Sequence, residues 1–297
     1  MLNSKIINLR EDGSAYLTTY IQEHNGEILN SGARPCVVVC PGGGYEWCSF
    51  REGEPVALEY VNKGFNAFVV NYSIQGNAKY PNSLVDLSRA IKMIRENADE
   101  WHVIPDQIAV IGFSAGGHLT ATCATLWNDK EVQEKADCLN DENKPNACML
   151  IYPVISLGKF SHAGTRNAIL SDYEGEKRQE VFEKLCTENQ VGPHTPPCFI
   201  ASTFDDDAVP IENSLMFADA MAKANRPFEM HVFRSGPHGL STADTNSYNW
   251  EASYNPDFNK WVDLSVTWLY REFGIDNIAP LTKRPVNVEG RARGEEI

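Results

Sequence analysis

The stretch from Gln107 to Thr122, QIAVIGFSAGGHLTAT, decides how the rest of the chain is read. It opens with Ile108-Ala109-Val110-Ile111, a short apolar, mostly β-branched run bounded by Gln107 and Gly112, the pattern of a buried strand. Gly112-Phe113-Ser114-Ala115-Gly116 follows, and then a run of good helix formers from His118 to Leu126. A serine with a glycine two residues away on each side, at a strand-to-helix corner, is a nucleophile elbow, G-x-S-x-G. Such a turn strains the serine backbone, and it closes only if the flanking positions lack side chains. The helix that starts there aims its first N–H groups at the point where an oxyanion would form.

On either side of this stretch, apolar runs alternate with helical patterns. Cys36-Val37-Val38-Val39-Cys40 is a continuous apolar run of the kind found inside parallel sheets, and it ends at Pro41-Gly42-Gly43-Gly44-Tyr45. Residues 55–63 begin with Pro55 and stop before Gly64, as helices do. A strand is predicted over Ala67 to Tyr72, and a helix over Ser83 to Trp101, where Leu84, Leu87, Ile91, Ile94, Ala98 and Trp101 form one apolar stripe. Further strands are predicted at Cys148 to Tyr152, Cys198 to Ser202 and Phe228 to Phe233, with helices over Ile211 to Asn225 and Asp257 to Phe273. A strand pair around Ala15 to Gln22, with His24-Asn25-Gly26-Glu27 as a turn, precedes them. The polar segment 128–146 reads as surface. This alternation predicts an open, mostly parallel sheet with helices on both faces, and ligands in such sheets bind beyond the carboxyl ends of the strands. The expected organisation is one domain over 1–280, an insertion around 156–197 over that end of the sheet, and a polar tail over 281–297.

The chain has 297 residues, 42% hydrophobic and 22% charged, with a net charge of −14. That charge argues against nucleic acid and anionic membrane as partners, since both attract Lys and Arg. No stretch approaches the ~20 apolar residues of a membrane span, and the N-terminus has no signal-like apolar run. Eight scattered cysteines without a CxxC pair fit a reduced, cytoplasmic protein. No HExxH and no Cys/His cluster suggests a metal, and no cofactor is expected. A homo-oligomer is left open.

A serine hydroxyl needs a general base and a group that orients it. In this chain order the base should be a histidine late in the sequence, and His238 stands in Ser235-Gly236-Pro237-His238-Gly239, directly after a strand. His118, one helical turn past Ser114, is expected to buttress the elbow. The acid should lie between Ser114 and His238 in a loop after a strand, where Asp205, Asp206 and Asp207 precede Val209-Pro210. One of them would orient the base and another would complement the N-terminus of the next helix. The glycines at 42–44 would let backbone N–H groups approach a carbonyl, as in an oxyanion loop.

Together PGGGYEWCSFREGEPVA, NYSI, IGFSAGGHL, TPPCFIASTFDDDAVPIENSLMFADAM and EMHVFRSGPHGLS resemble the α/β-hydrolase superfamily, and within it the acetylesterases of the acetyl xylan esterase-like, carbohydrate-esterase group. The resemblance runs from about Cys36 to Tyr270. It implies a three-layer α/β-hydrolase fold and hydrolysis of small acetyl esters, with acetylated oligosaccharides as substrates. It assigns Ser114 as nucleophile, His238 as base and Asp206 as acid, with oxyanion N–H groups from Gly43, Gly44 and Ala115. Pro41 stands where many relatives have His, and Ser202 and Phe204 replace His and a small residue. Tyr45, Trp47 and Phe204 lie on the site loops and are expected to contact substrate and keep the acyl pocket short. A peptidase of the same superfamily and a non-catalytic ligand-binding hydrolase fold are the competing readings. The first usually carries a large gating domain, and the second usually lacks one of the three catalytic residues.

Overall fold

The computed structural model describes residues 2–24, 27 and 32–275. Among them, strands β1 (Leu2–Asn3), β2 (Ile6–Asn8), β3 (Tyr16–Gln22), β4 (Arg34–Cys40), β5 (Asn66–Asn71), β6 (Val103–Phe113), β7 (Ala147–Ile151), β8 (Cys198–Thr203) and β9 (Phe228–Phe233) form one nine-stranded sheet. The helices are α1 (Glu54–Asn62), α2 (Asn82–Glu96), α3 (Ser114–Leu126), α4 (Lys130–Ala136), α5 (Ala163–Leu170), α6 (Gly175–Leu185), α7 (Glu212–Lys223), α8 (Pro256–Asn259) and α9 (Trp261–Phe273). The strand order is β1-β3-β5-β4-β6-β7-β8-β9, with β2 also on β3. From β5 to β9 every pairing is parallel, and β3 runs antiparallel to β5. The predicted tail at 281–297 lies outside the described residues, as does part of the turn at 24–27.

The layering follows from the strand period. In β4, Cys36, Val38 and Cys40 belong to one buried apolar cluster and Val37 and Val39 to another, and Val110 and Ile111 of β6 divide in the same way. The first cluster contains Leu84, Leu87 and Ile91 of α2, Leu119 of α3 and Phe217 of α7. The second contains Val56 and Tyr60 of α1 and Trp261, Val266 and Leu269 of α9. Successive side chains point to opposite faces, so both faces of the central strands must be covered by helices. Each such Val, Ile or Leu, once buried, contributes roughly 1.5–3 kcal/mol.

Three elements differ from the sequence reading. Helix α2 stops at Glu96 rather than Trp101, because Asn97 turns its side-chain amide onto the Met93 carbonyl, 2.7 Å away, and competes with the helix backbone. Ala98 and Trp101 stay buried all the same. The helix expected over 257–273 is two, α8 and α9. Trp261 and Asn259 donate to the Ser241 and Thr242 carbonyls at 3.0 and 2.6 Å, tying this region to the loop after β9. The polar segment 128–146 contains α4, whose Val132 is fully buried, so it is not all surface.

The chain leaves β4 for β5 on one side and returns through α2 to β6 on the other. The C-terminal ends of β4 and β6 are thus adjacent, with Cys40 opposite Gly112. A crevice opens at such a reversal. The loops Gly42–Gly44 and Ser114 meet there.

Candidate active site

Ser114 occupies the corner between β6 and α3 with φ of 53°, in the left-handed region. For a residue with a Cβ that conformation costs about 1–3 kcal/mol, so the surroundings must impose it. The flanking glycines show how. A Cβ at Gly112 would lie 2.1 Å from the Gly116 carbonyl oxygen, and one at Gly116 would lie 2.1 Å from that of Cys40. The strand, the turn and the neighbouring β4 approach so closely that only hydrogen fits. All of α3 is buried, and its Thr122 and Thr125 hydroxyls donate to carbonyls one turn back, at 2.7 and 2.8 Å.

Ser114, Asp206 and His238 come together. His238 Nε2 lies 2.7 Å from Ser114 Oγ, and Nδ1 lies 2.7 Å from Asp206 Oδ2. The Asp206 side chain is 1% exposed and that of His238 19%. Asp206 Oδ1 accepts the Ala208 and Val209 N–H groups at 2.9 and 2.8 Å, which fixes the carboxylate before it meets the imidazole. A carboxylate at Nδ1 holds the proton there and leaves Nε2 free to accept from the serine.

The two neighbouring aspartates also grip the histidine loop, contrary to the expectation that one would serve the next helix. Asp205 accepts from Ser235 Oγ at 2.7 Å and from Gly236 N at 2.8 Å, and these bonds hold its carboxyl below the usual range. Asp207 accepts the His238 N–H at 3.1 Å. Helix α7 begins after Ile211 without a side-chain cap.

On the other side, Gly43 and Gly44 have φ of 123° and 65°. No acceptor among the described residues takes their N–H groups. The Ala115 N–H is in the first turn of α3, where helices have no internal acceptor. Glu52, which the sequence did not single out, secures this loop. It is 4% exposed; its Oε2 accepts from Gly42 N and its Oε1 from the Tyr152 hydroxyl, both at 2.8 Å. Burial, with the Glu52 charge beside it, pushes the Tyr152 hydroxyl well above its ordinary pKa, so it stays a donor. The Tyr152 oxygen in turn accepts from Ser241 N at 2.8 Å, and the ring meets His238 edge-on at 5.1 Å. One buried chain of contacts thus joins the glycine loop to the histidine loop.

A cleft of about 720 Å³ opens over these groups, lined among others by Gly43, Gly44, Trp47, Glu52, Ser114 and His238. Trp47 and Phe50 stand at its rim, 60% and 74% exposed, with Trp250, over which the Arg51 guanidinium lies 4.7 Å away. Two expected contacts are elsewhere. Tyr45, with φ of 64°, turns its ring into the core, where its hydroxyl meets His118 Nδ1 at 2.9 Å. Phe204 projects outward beside Arg234 and does not line the cleft. His118 therefore braces the glycine loop through Tyr45, while its Nε2 lies 2.9 Å from the Leu185 carbonyl. The segment 156–197 both packs and lines: Leu157, Ile169 and Leu185 are in the core, while His162 and Gly164 reach the cleft. Among the described residues, no group of three or more His, Cys, Asp or Glu is placed to hold a metal ion.

The parallel sheet, the strained serine at its centre and the histidine and aspartate beyond its last strands make this an α/β-hydrolase. More narrowly, residues 28–221 match the BD-FAE family, and the chain belongs to it. It is 35% identical over 229 residues to endo-1,4-beta-xylanase B of Butyrivibrio fibrisolvens, covering 76% of this chain and 35% of that protein. It is 33% identical over 239 residues to an acetylxylan esterase of Xylanibacter ruminicola, covering 79% of this chain and 45% of that protein. The chain thus spans less than half the length of these two relatives. The crystal structure of an acetyl ester-xyloside bifunctional hydrolase from Caldicellulosiruptor lactoaceticus superposes with a TM-score of 0.75 at 33% identity, covering 91% of this chain and 96% of that one.

Proposed function

We propose that the protein is a carboxylic ester hydrolase that removes acetyl groups from small sugar esters, xylo-oligosaccharides foremost. The observation that carries the reading is the pair of 2.7 Å contacts linking Ser114, His238 and Asp206 at the floor of an open cleft. Ser114 Oγ attacks the ester carbonyl while His238 Nε2 takes its proton and Asp206 steadies the imidazolium. The Gly43, Gly44 and Ala115 N–H groups receive the oxyanion. His238 then gives the proton to the sugar oxygen as its bond to the acyl carbon breaks, and a water, activated by the same ring, frees acetate from Ser114. Sugar esters are favoured by the names of the relatives and by the exposed faces of Trp47, Phe50 and Trp250, which suit sugar rings. Eight free thiols fit a reducing compartment such as the cytoplasm.

Ser114→Ala should fold normally and lose ~10⁴-fold or more of p-nitrophenyl acetate hydrolysis. A variant keeping a tenth of the activity would sink the reading. Without Tyr45 and Phe204 as walls, the preference for short acyl groups rests on the relatives. A series from acetate to octanoate checks it, and kcat/KM rising steadily with length would mark a lipase-like enzyme. Acetylated xylo-oligosaccharides followed by mass spectrometry identify the sugar.

A further inference from the structure

His162 is a second histidine in the wall of the cleft, outside the groups assigned above. It precedes α5 and caps that helix: its Nδ1 accepts the Thr165 N–H at 3.1 Å, with the Thr165 hydroxyl also 3.1 Å away. An imidazole nitrogen that accepts a backbone N–H carries no proton, so in the neutral ring the proton is on Nε2. Burial and the nearby His238 both lower the pKa of His162, favouring the neutral form. No acceptor among the described residues takes the Nε2–H, although the residue lines the cleft together with Ser114, His238 and Gly44. A Cβ built on Gly44 would lie 3.8 Å from the ring's Cε1, so the ring stands directly against the glycine loop.

The fixed tautomer leaves one unmatched donor on a residue that lines the cleft, and an acetyl ester limits what that donor can meet. The acyl part offers one acceptor, the carbonyl oxygen, and the loop and elbow N–H groups are placed for it. The remainder of the acyl part is a methyl group. Further acceptors belong to the alcohol: the ring oxygen and hydroxyls of a sugar. The geometry points to His162 Nε2–H as a specificity-determining donor to a sugar oxygen near the acetylated position, an inference that rests on the esterase reading of Ser114. A site donor matched by a substrate oxygen selects against ligands lacking that acceptor.

His162→Ser separates the two roles of the ring, because serine still caps α5 while the Nε2–H is gone. Wild type, His162→Ser and Ser114→Ala would be assayed on p-nitrophenyl acetate, whose leaving group has no sugar oxygen, and on a mono-acetylated methyl xyloside, with melting temperatures measured alongside. The expected result is a loss of roughly tenfold in kcat/KM on the xyloside, the size of one hydrogen bond. Activity on p-nitrophenyl acetate should stay within about twofold, and the melting temperature should be close to wild type. Equal losses on both esters would make His162 a fourth oxyanion donor or a purely structural residue, and no loss on either would make it a cap alone. Each of these overturns the inference. Activity retained by Ser114→Ala on both esters would instead overturn the reading beneath it.

Discussion

The floor and the rim of the cleft are built on opposite principles. At the floor, Ser114, Asp206, Glu52 and Tyr152 are buried or nearly so, and backbone crowding or paired hydrogen bonds fix each of them. At the rim, Trp47 and Phe50 present most of their surface to solvent. The floor tolerates little change because each polar group there has lost water and depends on its partner. The rim can vary at small cost to folding.

The comparison breaks first at Asp206. Asp206→Asn should lower kcat by roughly 10²–10⁴ by favouring the wrong tautomer of His238. Asp205→Asn and Asp207→Asn, which touch the loop rather than the imidazole, should each cost less than about tenfold, measured as kcat on p-nitrophenyl acetate. If Asp205→Asn is the crippling change, the acid moves by one residue. Glu52→Gln is the next test. A single amide cannot accept as the carboxylate does from both Gly42 N and Tyr152, and a charged hydrogen bond is worth about 1.5–3 kcal/mol. We expect kcat to fall roughly ten- to hundredfold with KM little changed. An unchanged kcat would reduce Glu52 to packing.

A third test concerns stability. Burial holds His118 at about 4, below its ordinary 6.5. As pH falls through 6.5 the unfolded chain takes a proton at this ring, while the folded chain takes none until about 4. The contribution of His118 is therefore whole above 6.5, declines as pH drops towards 4 and changes no further below it. Its full size is on the order of 3 kcal/mol. Denaturant melts at pH 7 and pH 5 should diverge less in His118→Gln than in wild type, and equal divergence would refute the assignment. The smallest effect belongs to the rim. Trp47→Ala should change p-nitrophenyl acetate kcat by less than about threefold, while KM for an acetylated xylo-oligosaccharide rises, because a lost stacking face weakens binding rather than chemistry. A kcat loss as large as that of Glu52→Gln would erase the distinction between floor and rim.

What could be read from the sequence is what the backbone itself demands. The apolar runs of β4 and β6 declare strands buried on both faces, and the glycines around Ser114 mark a corner that excludes side chains. His238 followed from its position after a strand. Asp206 was singled out by its spacing to Val209-Pro210 together with the family resemblance, since three aspartates in a row satisfy the same local rule and all three touch the histidine loop. Glu52 was not legible, because its partners lie 10 and 100 residues away and nothing in Arg51-Glu52-Gly53 signals burial. Tyr45 and Phe204 were misplaced for a related reason. Adjacency to a loop in sequence does not say which way a side chain turns, and the positive φ of Tyr45 sends it inward. For His162 a local signal was present, a histidine three residues before Thr165 at the start of a helix, but it spoke of capping and not of the cleft.

Strand β9, which ends just before the loop bearing His238, is the last in the sheet. Its residues are half-buried or exposed, whereas β6 from Ile108 to Phe113 is wholly enclosed. Protection against local opening follows such differences, so Ser114 and His238 sit in regions that should open at different free energies. A fluctuation that frays β9 and its loop would carry His238 away while leaving Ser114 and its helix folded. On the proposed function, the working fraction of molecules would be governed by this partial opening, which needs less energy than global unfolding. The grip of Asp205, Asp206 and Asp207 on residues 235–238 acts as a latch at the point where the molecule opens most readily.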